Sequence, residues 1–198
     1  MNTDVMQQYI TNGIMALERM EDASRHGKAV SMETLMHLIR ENENTEYGKK
    51  YGFRGIRSYA DYAAKVPLST YEDYEPYIDR MLCFGQSNLI TADKVVYFAH
   101  TSGTSGASKM IPCTQDALDI LFTAVFQRFF GCCQKSCKNR EGEGMPAYPG
   151  INLMESRIGY TPYGIAHGAI SETLNHEKDT PAYNALPEEI VYPGAEFD

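Results

Sequence analysis

The series Thr101-Ser102-Gly103-Thr104-Ser105-Gly106-Ala107-Ser108-Lys109 puts hydroxyls, glycines and one closing lysine into a single short stretch. A polyphosphate needs backbone N–H groups that can turn toward it, and glycine lets the chain bend close enough. Thr101, Ser102, Thr104, Ser105 and Ser108 supply short hydroxyl donors, and Lys109 supplies a mobile cation. The spacing is not that of a Walker A loop, which wants Gly-Lys where this chain has Ser108-Lys109. By composition alone such a stretch reads as a flexible loop. The apolar run Val95 to Ala99 before it and a helix start after it favour an anion-binding loop instead.

Other side chains are weaker candidates. Arg128 is the one positive charge on the helix expected after the loop, among Phe122, Phe126, Phe129 and Phe130. It has two readings: a bidentate holder of a substrate carboxylate, or a helix-end cation with its stem packed on apolar surface. His100 adjoins the loop and reads as structural or phosphate-adjacent, and His167 between its glycines has no stronger claim. Cys132, Cys133 and Cys137 lack the paired spacing of a structural zinc site. They read as packed or partly exposed thiols.

The elements that would position these residues can be read from periodicity and caps. Apolar residues from Val5 to Met20 recur at helical spacing, predicting a helix over residues 4–22. Ser31 is the expected cap of a second helix bearing Leu35, Leu38 and Ile39, ending near Asn42–Asn44. Ser58 with Asp61, and Thr70 with Asp73, open two more helices by the hydroxyl-x-x-acid pattern. Pro76 must lie in the first turns of the latter or kink it. Val95–Ala99 is the expected strand. Pro112 should block helix extension backward, and Thr114 should cap an apolar helix reaching Phe130 and stopped by Gly131. Residues 135–149 read as a surface excursion, Ile151–Met154 as a strand, and Thr161–Ile170 as weakly β-like.

The 198 residues suffice for one compact domain, which buries roughly 70% of its unfolded surface. The net charge of −8 argues against nucleic-acid binding, which rests on dense basic surface. It leaves room for a nucleotide held locally by a loop. No apolar run of about 20 residues predicts a membrane span. The start Met1-Asn2-Thr3-Asp4 lacks a signal peptide's basic and apolar regions. Five cysteines without an extracellular context suggest reduced thiols and a cytoplasmic protein.

The loop resembles the phosphate loop of adenylate-forming enzymes. The wider succession is more specific: Asn44-Thr45-Glu46-Tyr47-Gly48, then Phe53 and Ile56, then Val66-Pro67-Leu68-Ser69-Thr70-Tyr71-Glu72-Asp73-Tyr74-Glu75-Pro76-Tyr77-Ile78 with Arg80 and Gly85, then Lys109-Met110-Ile111-Pro112. It closely resembles the auxin-responsive Gretchen Hagen family of acyl-acid amido synthetases over nearly the whole chain. Gly164-Ile165-Ala166-His167-Gly168-Ala169-Ile170-Ser171 also looks like a family segment.

The resemblance implies activation of a carboxylic acid by ATP with Mg²⁺, then transfer of the acyl group to an amino acid. It implies Lys109 as the catalytic cation and Thr101, Ser102, Gly103, Thr104, Ser105, Gly106 and Ser108 as ATP-phosphate contacts. Arg128 falls on the acid-binding helix. The implied fold is α/β, a partial N-terminal domain of an adenylate-forming enzyme: a mainly helical part over 1–93, then strand, glycine loop and helix within 94–198. Because such relatives are much longer, the chain is expected to be the N-terminal portion of a synthetase and inactive alone. A fragment of an acyl- or aryl-coenzyme A ligase and a non-catalytic remnant are the alternatives.

Overall fold

The computed structural model describes residues 3–101, 108–141 and 159–170. Contacts divide the chain into two compact units: Met1–Asp22 with Asp116–Gly159 and Gly168–Asp198, and Ala23–Gln115 with Tyr160–His167. The architecture is mixed α/β, with five helices preceding the first strand among the described residues.

Helix α1 (Thr3–Arg25) appears where expected, and α2 (Gly27–Glu41) follows after His26 alone. Ser31 therefore lies inside α2 and does not cap it. The His26 carbonyl accepts from the N–H groups of Ala29 and Val30 at 2.9 and 3.1 Å, so the backbone re-enters a helix without a hydroxyl. Asn42 ends α2, as the asparagine cluster predicts. Thr45, fully buried, caps the short α3 (Glu46–Lys50): its Oγ1 accepts from Gly48 N–H at 2.9 Å and donates to the Asn42 carbonyl at 2.7 Å.

A 3₁₀ turn (Phe53–Gly55) leads to α4 (Tyr59–Lys65). Ser58 caps α4 as predicted, accepting from Asp61 N–H at 3.1 Å. The Asp61 carboxylate reaches back to Arg57 N–H, 2.9 Å away. Helix α5 (Tyr71–Phe84) opens with Thr70 N–H donating to Asp73 Oδ2 at 2.8 Å. Pro76 sits in its second turn, where it deprives only the first-turn Glu72 carbonyl of a partner. Gly85, at φ +62°, ends the helix.

Two apolar clusters result. Tyr77, Ile78 and Met81 of α5 pack with Leu89 and Phe98, and Ile39 of α2 packs with Phe53 and Ile56. Full burial of Phe98 is worth roughly 1.5–3 kcal/mol. Tyr47 packs against both clusters, its ring centroid 6.1 Å from that of Tyr77 and 5.9 Å from that of Phe53. Burial, then its hydrogen bond to Tyr74, pushes the Tyr47 phenol well above its ordinary pKa.

The expected strand is present as β1 (Val95–His100). A second strand, β2 (Met110–Thr114), intervenes between the loop and the following helix. Pro112 is thus a strand residue opposite Phe98, and Thr114 ends the strand opposite Val95. The glycine loop joins two antiparallel strands rather than feeding a helix directly. Thr101 N–H donates to the Lys109 carbonyl, and stepping back by twos places Pro112 where strand N–H groups point away from β1. With β3 (Gly159–Tyr160) and β4 (Ala166–Ala169) the sheet order is β2-β1-β4-β3. The β-like character expected for Thr161–Ile170 is realised in β4. Ile151–Met154 lie outside the described residues.

Beyond β2 come α6 (Gln115–Phe122), a π-helical turn (Thr123–Gln127) and α7 (Arg128–Glu141). The expected stop at Gly131 does not occur. Gly131 is buried, and a side chain there would overlap the Gly13 carbonyl oxygen, so glycine serves close helix approach at this position. Lys135–Glu141, expected as a surface excursion, are helical, and Lys135 Nζ donates to Glu21 at 2.6 Å.

Candidate functional site

The described part of the loop is its neck. Thr101 N–H donates to the Lys109 carbonyl at 3.1 Å, and Lys109 N–H returns a bond to Thr101 Oγ1 at 3.0 Å. Ser108 Oγ donates to the Thr101 carbonyl at 2.7 Å. Thr101 and Ser108 therefore use their hydroxyls to close the loop that they were expected to arm. Ser102, Gly103, Thr104, Ser105 and Gly106 lie outside the described residues.

The Lys109 side chain leaves this neck half-exposed. Its ammonium stands 3.5 Å from Glu72 Oε1 and 4.8 Å from the centre of the Tyr71 ring. The Tyr71 hydroxyl accepts from Met110 N–H at 3.1 Å and donates to the Met110 carbonyl at 3.3 Å. A hydrogen bond from Thr70, then its own backbone N–H and Lys109, hold the Glu72 carboxyl below its ordinary pKa. The sequence alone points to no partnership between Lys109 and Tyr71 or Glu72. An acid in a first helical turn is ordinary, and only the fold brings that turn against the loop's end.

The structure also joins the two histidines. His167 Nδ1 and His100 Nε2 are 3.0 Å apart across β4 and β1, with ring planes inclined by 16°. Burial, then the neighbouring His100, pushes the His167 pKa down.

Arg128 belongs to the other compact unit and follows the π-helical turn. It does not stand at a helix end, because the helix continues to Glu141, so the reading as a dipole-favoured terminal cation fails. Its Nε is buried with no hydrogen-bond partner. Among the thiols, Cys113 is buried, Cys83 and Cys132 are exposed and Cys133 is half-buried. Among the described residues no three metal-ligating side chains come together, and no helix is long and apolar enough to cross a membrane. A cavity of about 440 Å³ beside the end of α5 is lined by Met81, Asn88, Lys94 and Tyr163 among others, and by none of the expected site residues.

The chain is similar to known proteins. The chain is 35% identical over 104 residues to the probable indole-3-acetic acid-amido synthetase GH3.2 of Oryza sativa subsp. japonica, covering 52% of this chain and 17% of that protein. It is 31% identical over 150 residues to the 4-substituted benzoates-glutamate ligase GH3.12 of Arabidopsis thaliana, covering 75% of this chain and 25% of the relative. The matches thus span a quarter or less of these relatives' length. Among solved structures, the GH3.15 acyl acid amido synthetase superposes with a TM-score of 0.70 at 24% identity, over 88% of this chain and 30% of the other. That likeness establishes the fold. The family model for the GH3 family N-terminal domain matches residues 16–194. With the loop's flanking strands and helices α2 to α5 all inside that match, the chain belongs to the GH3 family.

Proposed function

We propose that this chain carries the phosphate loop of an ATP-dependent acyl-acid amido synthetase. An oxygen of the substrate carboxylate bonds to the α-phosphorus of ATP and pyrophosphate leaves. The amine of an amino acid then attacks the acyl carbon and AMP departs. The carboxylate is the nucleophile of the first step, so the protein's part is positioning and charge stabilisation. The observation that carries this reading is the Lys109 ammonium, half-exposed at a loop neck fixed by Thr101 and Ser108.

In this reading Lys109 neutralises phosphate charge, and Ser102 through Gly106 complete the phosphate contacts. Arg128 binds the acid: its guanidinium has a buried Nε–H without a partner, which a planar carboxylate fits. The relatives' names point to an aromatic or similar small carboxylic acid and an amino-acid acceptor. Mg²⁺ would offset phosphate charge when bound, but no cluster of described residues fits it as a ligand set, so it is assigned none. A cytoplasmic setting with reduced thiols belongs to the same reading.

The test is ATP binding by calorimetry on the chain and on Lys109→Ala. Loss of a charged hydrogen bond of about 1.5–3 kcal/mol should weaken binding about ten- to a hundredfold. Equal affinities would remove Lys109 from the site.

A further inference from the structure

The tract Thr70-Tyr71-Glu72-Asp73 does more than start a helix. Its first turn holds the lysine at the loop's end from two directions. The Tyr71 hydroxyl grips both backbone groups of Met110, the residue next to Lys109, at 3.1 and 3.3 Å. Its ring lies 4.8 Å from the Lys109 ammonium, within the range of a cation–π contact. Glu72 meets the same ammonium at 3.5 Å.

We propose that Tyr71 and Glu72 are positioning residues for Lys109, with Tyr71 fixing the backbone beside it and Glu72 holding its ammonium until a polyphosphate displaces the carboxylate. The inference rests on the phosphate-loop reading above. A lysine stem is flexible, so the carboxylate fixes where the ammonium rests while competing with an incoming phosphate for it. The Glu72 side chain is 66% exposed, so water screens its pairing with Lys109 and the bond yields readily. A polyphosphate brings more negative charge than one carboxylate and repels Glu72 as it takes the ammonium. The Tyr71 ring carries no charge and can stay beneath Lys109 throughout.

Competition gives this role a sign that a merely structural role lacks. Calorimetric titration of ATP into the 198-residue chain and into Glu72→Gln should show about two- to fivefold tighter binding by the variant, the equivalent of one exposed ion pair. The gain should vanish in the Lys109→Ala background. Tyr71→Phe, which keeps the ring and removes the grip on Met110, should weaken ATP binding with adenosine binding unchanged. Suppose Lys109→Ala weakens ATP binding while Glu72→Gln leaves it equal or weaker. The positioning role of Glu72 is then overturned and the phosphate-loop reading stands. If Lys109→Ala binds ATP as well as the parent, or no protein in the set binds it, both fail together.

Discussion

Gly13 and Gly131 meet backbone to backbone where α1 reaches the helical run from Gln115 to Glu141. A Cβ on Gly13 would overlap the Gln127 carbonyl and stand 2.7 Å from Gly131 N. Neither neighbour is a flexible side-chain tip, so the helices must separate to admit a methyl group. Gly131→Ala is expected to cost about 1–3 kcal/mol in urea unfolding. Gly27→Ala, where a Cβ meets nothing within 4 Å at the start of α2, should instead raise stability by about 0.4–1 kcal/mol. Equal midpoints for the two variants would dismiss the contact.

Thr45 offers a second stability test. It is completely buried, with its hydroxyl engaged as both donor and acceptor. Thr45→Val keeps the volume but strands Gly48 N–H, while the Asn42 carbonyl keeps its bond from Thr45 N–H, and should cost about 1–3 kcal/mol. Thr45→Ser retains both bonds and should cost less. The same urea series measures both.

Arg128 separates stability from function. Its unpartnered Nε–H costs about 1–3 kcal/mol in the unliganded protein. Arg128→Met should therefore unfold at the same or higher urea concentration than the parent. In a protein competent for acid-dependent ATP–pyrophosphate exchange, the same change should raise the acid's KM far more than that of ATP. A stability loss with unchanged KM would assign Arg128 to packing.

The histidine pair predicts a pH dependence. His167 Nδ1 meets His100 Nε2 at 3.0 Å, and burial together with that neighbour disfavours a charge on His167. The depressed His167 pKa means that the unfolded chain takes up its proton first as pH falls. Its stabilising contribution is thus complete above the ordinary value of 6.5 and is lost as pH drops through the lower folded value. Glu46, held down chiefly by its hydrogen bonds from Arg80, acts in a separate window below its ordinary 4.5. Urea midpoints should fall between about pH 7 and pH 5.5. His167→Gln should flatten that slope, and a slope unchanged in the variant would exclude the pair.

What the sequence revealed was chiefly local. The Ser58–Asp61 and Thr70–Asp73 caps are written within four-residue windows, and the structure uses both. Strand β2 was hidden because Pro112 reads as a breaker, although an outward-facing edge position tolerates a residue without an N–H. Gly131 reads as a stop in the sequence because a glycine that ends a helix and one that admits a neighbouring backbone look alike. The loop's hydroxyls and lysine suggest an anion-binding loop only together with the apolar run before them, since the composition alone reads as a flexible loop. The placement of Glu72 and Tyr71 beside Lys109 depends on packing between α5 and β2, which no spacing rule encodes. His100 and His167 were singled out separately, and only the pairing of β1 with β4 unites them.

Among the described residues β2 stands at one edge of the sheet, and its outer side has a consequence for association. An unpaired strand edge is a template on which another extended chain can add. Here the Tyr71 hydroxyl already occupies both backbone groups of Met110, and the next outward residue, Pro112, has no N–H to offer. An incoming strand would meet one blocked position and one missing donor in succession. Tyr71 therefore guards the sheet against cross-β growth, so Tyr71→Phe, by freeing Met110, should also make the protein more prone to ordered aggregation.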